Sequence, residues 1–330
     1  MDTAHAHSHD HDHDHDHSHD HDHAHDHASH HGQELGPRPG IYLLSPSGVV
    51  TDPETITRAR ANLKTLGFAT ALDRTALARD QRFAGTDAQR LAAFTRAIRH
   101  KHPIVMATRG GYGLSRLLHR IDWQAMADSG KRFVGHSDFT AFQLALLAKT
   151  GCVSYAGPMA RADFGRKRVD GLTADLFGEM MRGELEILSF ESEQSDAVDC
   201  RGILWGGNLA LVCALVGTPY LPKARGILFL EDVNEQPYRI ERMLLQLLHA
   251  GVLARQKAIV LGQFTDYRLS ELDGGFDLPA VIDWIRRETG VPVITGLPFG
   301  HGAVKATLPV GAKVGLATVD GMAYLVFHEH

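Results

Sequence analysis

The chain has 330 residues, 44% hydrophobic and 22% charged, with a formal net charge of −5, which allows two domains with packed interiors and describes a soluble globular protein. No apolar run approaches the ~20 residues that a membrane-spanning helix needs. Residues 1–31 hold 14 of the 22 histidines and eight aspartates but no lysine or arginine, so the remainder is +3. That is too weak for a nucleic-acid surface, which shows a concentrated basic stripe, yet it does not oppose a small anionic substrate.

The opening "HSHDHDHDHDHSHDHDHAHDHASHH" alternates two polar residues and offers no apolar face, so residues 1–36 are expected to be a disordered His/Asp-rich tail. Imidazoles at His9, His11, His13 and His15, interleaved with carboxylates, suit loose binding of divalent transition metals without a catalytic role. The start lacks the basic patch and apolar stretch of a secretory signal, so the cytoplasm is the expected location. Cys152, Cys200 and Cys213 form no C-x-x-C pair and read as reduced packing thiols.

From residue 40 strands and helices alternate. "GIYLLSPSG" reads as a buried strand ended by a turn. Asp52 and Pro53 then open a helix carrying Ile56, Leu63 and Leu66, which stops at Gly67. Thr86 and Gln89 form a capping box before Leu91, Phe94 and Ile98. "PIVMAT" reads as a strand, "RGGYG" as a tight loop, and "LSRLLHRI" as a helix with Leu114, Leu117, Leu118 and Ile121 on one face. "RFVG" and "TAFQLALLAKTG" give the next strand and helix. Such alternation predicts a parallel sheet covered on both faces over residues 37–160.

Residues 161–200 are charged and irregular, with one helix at "LTADLFGEMM", and read as a linker. Residues 201–330 read as a second mixed domain. There "GILFLED" and "KAIVLGQF" flank "YRIERMLLQLLHAG", whose Ile240, Met243, Leu244, Leu247 and Leu248 make an apolar stripe. "VPVITGLPFGHG" and "KVGLATVDGMAYLVF" read as further strands, the last with a hairpin at Asp320 and Gly321.

Sites in open α/β sheets collect after the carboxyl ends of strands. In "KRFVGHSDFT", Ser137 lies between a strand and a helix, as in an elbow that exposes a serine hydroxyl, although Phe139 stands where that signature wants glycine. Ser-Asp at a helix start is also an ordinary cap. A serine nucleophile needs a base, itself oriented by a third group. His136 is adjacent, but neighbours in extended chain point to opposite sides, so His136 is expected to face away. His301, between glycines in "GLPFGHG", is the better placed histidine. Glu231 ends the buried run "ILFLE" and could orient it, with Asp232 and Glu235 as rivals. The glycines of "TRGGYG" let N–H groups approach a reacting carbonyl, and the amides of Gly111 and Asp138 are the expected oxyanion hole.

Taken in order, "RGGYG", "GHSDFT", "WGGNL", "LFLEDVNEQPYRIERML" and "GLPFGHG" resemble the LD-carboxypeptidases, or muramoyltetrapeptide carboxypeptidases, a family that includes the microcin C immunity peptidases. The resemblance runs from about Gly40 to the end and leaves the tail outside. It implies an α/β protein with an N-terminal flavodoxin-like parallel-sheet domain and a smaller mixed α/β C-terminal domain, generally a cytoplasmic homodimer. It also implies Ser137 as nucleophile, His301 as base, Glu231 as orienting acid, no cofactor, and a murein tetrapeptide losing its terminal D-alanine through an acyl-enzyme. A peptidyl nucleotide of the microcin type is the alternative substrate. A metal-binding protein whose function is the tail is the alternative from another class. Arg109, Arg239 and Lys305 are candidates for the substrate's terminal carboxylate, and Trp205, Gly206, Gly207 and Asn208 form either a cleft-lining loop or a structural turn.

Overall fold

Short apolar runs with no polar face build the first sheet. In the computed structural model, which describes Leu35 and residues 38–327, β1 (Gly40–Leu44), β2 (Ala69–Leu72), β3 (Ile104–Ala107), β4 (Arg132–Gly135) and β5 (Ser154–Ala156) lie parallel in the order β2-β1-β3-β4-β5. Ile41, Leu43, Leu44, Ile104, Val105, Met106, Phe133 and Val134 are all fully buried, as a parallel sheet covered on both faces demands. This is the flavodoxin-like order, in which the reversal between β1 and β3 opens a crevice beyond their carboxyl ends. The expected tail, with His9, His11, His13 and His15, lies outside the described residues.

Local chemistry starts and stops the helices as read. Asp52 accepts from the Glu54 amide at the head of α1 (Glu54–Thr65), and the Thr86–Gln89 capping box opens α2 (Asp87–Arg99). "LSRLLHRI" is not a helix. It forms two 3₁₀ turns, Leu114–Arg116 and Leu118–Arg120, before α3 (Trp123–Asp128). Its four apolar residues are buried as expected, but the Asp138 carboxylate holds the Leu114 amide and Asp122 caps α3. Anchored at both ends over so few residues, the segment takes the tighter winding that short connectors use. In α4 (Thr140–Thr150), Phe142 stacks on Phe94 at 4.9 Å and tilts against Phe133 at 5.0 Å.

The second sheet starts earlier than expected. After α5 (Gly171–Arg182), β6 (Ile187–Glu191) is its edge strand, so residues 161–200 are more than a linker. The signal was a period-two pattern, Leu188 and Phe190 inward, hidden among charges. α5 meanwhile packs Phe177 on Phe68 of the first domain. The sheet continues with β7 (Asp199–Asn208), α6 (Leu209–Ala214), β8 (Gly226–Val233), α7 (Pro237–His249), β9 (Ala258–Thr265), α8 (Leu278–Thr289) and β10 (Val293–Ile294). "VPVITGLPFGHG" supplies only that two-residue strand and then a loop.

β11 (Leu308–Val310) then returns to the first sheet, antiparallel beside β5, before β12 (Lys313–Val319) and β13 (Met322–Val326) close the second. The second sheet runs β10-β9-β8-β7-β12-β13-β6. The hairpin at Asp320 and Gly321 forms with φ of 49° and 78°, the two left-handed residues that the tightest hairpin turn requires.

Just past β2, Asp73 accepts from Tyr42 Oη (2.6 Å), Arg96 Nε (2.7 Å) and the Thr75 hydroxyl (2.6 Å). Burial alone would raise its carboxyl, but the Arg96, Thr75 and Tyr42 hydrogen bonds outweigh burial and hold it well below the usual carboxylate range. A depressed pKa contributes stability that is present above the unfolded value near 3.9 and lost as pH falls through the folded one. Asp73→Asn should therefore lower stability at neutral pH, with the gap to wild type narrowing below about pH 4, as urea denaturation across pH 3–7 will measure.

Candidate active site

Ser137 sits at the turn between β4 and α4 with φ of 61°. A non-glycine residue held there costs about 1–3 kcal/mol and marks functional sites. Phe139, the departure from the elbow signature, is explained by exchange. Its ring turns into the core against Phe142, and glycine is needed at position 135 instead, where a Cβ would meet that ring at 2.8 Å. Ser137 is partly exposed and its hydroxyl faces Gly110, on which a Cβ would come within 2.9 Å of Ser137 Oγ and 3.3 Å of the Asp138 amide nitrogen.

The loop carrying Gly110 and Gly111 is clamped. Arg90, fully buried, donates to the carbonyls of Pro46 (2.7 Å) and Gly113 (2.9 Å), and the Gly48 amide donates to Gly110 O (3.1 Å). The Asp138 carboxylate accepts from the Leu114 amide at 2.9 Å, and burial raises its pKa. The clamp was not foreseen: Ser-Asp at a helix start reads as a local cap, whereas Asp138 caps a segment 24 residues upstream.

His301 and Glu231 meet. His301 Nδ1 lies 2.7 Å from Glu231 Oε2, with the carboxylate fully buried and the imidazole about a fifth exposed. Glu231 lies within the buried part of β8, which runs on through Asp232, and is no solvated loop residue; its rivals are engaged elsewhere. Asp232 accepts from Asn208 Nδ2 (2.9 Å) and the Ala210 amide (2.9 Å) at the start of α6, and Glu235 pairs with Arg239 (3.0 Å).

His136 does not face away as expected. The positive φ at Ser137 breaks the alternation of an extended chain, and the His136 ring lies edge-on to His301 with centroids 5.2 Å apart. It is buried, with Nδ1 donating to Gly157 O at 3.0 Å. Burial, aided by the charges of Lys305 and His301, pushes its pKa well below the ordinary value, so it stays neutral. No hydrogen bond joins Ser137 to His301 among the described residues. His301 is held against the ring of His136, the residue that precedes Ser137.

The sheets meet beside the serine. Thr140 Oγ1 accepts from the Asn208 amide at 3.1 Å, and a Cβ on Gly207 would strike that hydroxyl at 2.6 Å. Asn208 is the register partner of Glu231. Trp205–Asn208 is thus neither a cleft-lining loop nor a turn. It is the buried end of β7, with Trp205 Nε1 donating to Gln256 at 3.0 Å.

Comparison with known proteins finds one family on both halves of the chain. The LD-carboxypeptidase N-terminal domain matches residues 41–157 and the LD-carboxypeptidase C-terminal domain residues 201–316. The chain belongs to the LD-carboxypeptidase family. A murein tetrapeptide carboxypeptidase of Pseudomonas aeruginosa is 30% identical over 284 residues, 82% of this chain and 91% of that one. The crystal structure of a muramoyltetrapeptide carboxypeptidase from Oxalobacter formigenes is 43% identical with a TM-score of 0.83, covering 88% of this chain and 99% of its own. The microcin C7 self-immunity protein MccF, at 22% identity and TM-score 0.81 over 89% of this chain and 98% of its own, shares the fold.

Of the three cations considered for a carboxylate in this LD-carboxypeptidase, Lys305 is already engaged. It is 1% exposed, its ammonium donates to Gly300 O, and it lies 3.4 Å from Asp163. It therefore fastens the residue before His301 to the turn that follows β5. Arg239 is half-exposed and paired with Glu235. Removing one partner of a buried ion pair strands the other charge, so Lys305→Met should cost roughly 3–5 kcal/mol. Adding Asp163→Asn should recover most of that loss, as a double-mutant cycle by chemical denaturation will show.

Proposed function

We propose that this LD-carboxypeptidase removes the terminal D-alanine from murein tetrapeptides, free or sugar-linked, and leaves tripeptides for reuse in cell-wall synthesis. The bond cut follows the L-centre of diaminopimelate. The observation that carries the reading is the buried Glu231–His301 hydrogen bond, with the His301 ring against His136, the residue before Ser137. Relatives named for murein peptide cleavage support the substrate class.

In this reading Glu231 accepts from His301 Nδ1–H, which leaves Nε2 as the basic nitrogen. Nε2 takes the Ser137 proton as Oγ attacks the carbonyl carbon, and the developing oxyanion accepts from the amides of Gly111 and Asp138. The imidazolium then protonates the departing D-alanine amine. Water, deprotonated by the same histidine, cleaves the acyl-enzyme and returns Ser137 to its starting state. His136 is the poorer base, since burial and the neighbouring charges of Lys305 and His301 hold its pKa well below the ordinary value and no carboxylate orients it. We place the enzyme in the cytoplasm as a homodimer; among the described residues no helix is long and apolar enough to cross a membrane.

Ser137→Ala should abolish D-alanine release, a loss on the order of 10⁶-fold in kcat, and Glu231→Gln should cost about 10⁴-fold, both with the fold retained. Mass spectrometry of purified tetrapeptide after incubation measures this, and undiminished turnover by Ser137→Ala would refute the assignment. A parallel assay on a peptidyl nucleotide separates the microcin-type alternative. Trimming residues 1–31 should leave turnover of the tetrapeptide unchanged and insensitive to chelators; a large loss would return the tail to the mechanism.

A further inference from the structure

Arg109 and Arg161 lie near each other, and among the described residues neither is ion-paired with an acidic side chain. Arg109 opens the loop that faces Ser137. Its Nη1 donates to Val49 O at 2.6 Å, and its guanidinium folds back over the glycines of the β1 and β3 loops. A Cβ on Gly48 would lie 3.4 Å from Arg109 Cζ, and one on Gly111 3.6 Å from Arg109 Nη2. The Arg161 amide donates to Thr108 O at 2.8 Å, directly beside Arg109, and its Nε is buried without a hydrogen-bond partner among the described residues. Neither arginine has an ion pair there, unlike Arg90 and Arg96 in the same domain. Burial, with the nearby charges of Arg161 and Arg82, lowers the pKa of Arg109, as expected for like charges held close together.

A guanidinium that no acidic side chain pairs among the described residues, with a second arginine nearby and a serine elbow facing the same loop at a topological switch point, suits an anion of the substrate. Building on the proposed function, we infer that Arg109 and Arg161 hold the terminal carboxylate of the departing D-alanine, making the enzyme a carboxypeptidase rather than an endopeptidase. An arginine fork matches a carboxylate in two parallel hydrogen bonds, which fixes the scissile bond relative to Ser137 as well as binding the substrate.

The test compares three tetrapeptides: the free acid, the same peptide with a C-terminal amide, and one with D-isoglutamine in place of D-glutamate, which removes a different carboxylate. Wild type should prefer the acid over the amide by about 30-fold or more in kcat/KM. Arg109→Gln and Arg161→Gln should each shrink that preference at least about tenfold, and Arg161→Lys should restore part of it. Equal slowing on acid and amide would reduce the arginines to a structural role, and a preference that moves instead with the D-isoglutamine peptide would assign them to the other carboxylate; either overturns the inference. A second readout needs no turnover. D-alanine should slow labelling of Ser137 by a fluorophosphonate in wild type but not in Arg161→Gln. Protection by D-alanine in an enzyme that leaves tetrapeptide intact would sink the proposed function and keep the carboxylate site. Tetrapeptide cleavage with protection equal in wild type and Arg161→Gln would do the reverse.

Discussion

The hydrogen bond between Glu231 and His301 is the interaction on which the rest of the site depends. A carboxylate with no exposure to water is costly to bury unless a partner receives its charge. The surroundings of Glu231 supply that partner by fixing the loop that carries His301. Lys305 secures the preceding carbonyl, Asp163 anchors Lys305, and the Gly302 amide donates to Gln263 of β9. The imidazole is thus positioned by backbone and charge together, which in the proposed mechanism leaves its other nitrogen to act as the base.

The serine side obeys a different constraint, strain. A left-handed serine is tolerated because everything around it is over-determined: Phe139 wedged against Gly135, Asp138 fastened to Leu114, and His136 fastened to Gly157. The two sides reach a common frame where Thr140 receives the Asn208 amide and Gly207 lets the strands close up. Because Asn208 and Glu231 are register partners, a shift at that junction is carried straight to the carboxylate.

Much of this was legible in the sequence because its causes are local. Apolar runs too short for helices gave the parallel strands, Thr86 with Gln89 gave a helix start, and Glu231 stood at the end of an apolar run where a carboxylate is conspicuous. What stayed hidden depends on contacts between distant residues. The orientation of His136 follows from one dihedral angle at Ser137. The role of Asp138 follows from an amide 24 residues away. β6 was masked because alternation in "ILSFE" sits within a charged stretch, and the buried Trp205–Asn208 segment looked loop-like because paired glycines serve close packing as readily as turns.

β11 carries a consequence for how the protein is made. The edge of the first sheet at β5 is covered by residues 308–310, which lie beyond most of the second sheet in the chain. During synthesis the amino-terminal half can emerge and collapse with its β5 edge unpaired in addition to the β2 edge, a state open to mispairing with other nascent chains. The serine-bearing half gains this strand only after residue 310 has left the ribosome, so a fragment halted before residue 301 lacks both the strand and His301.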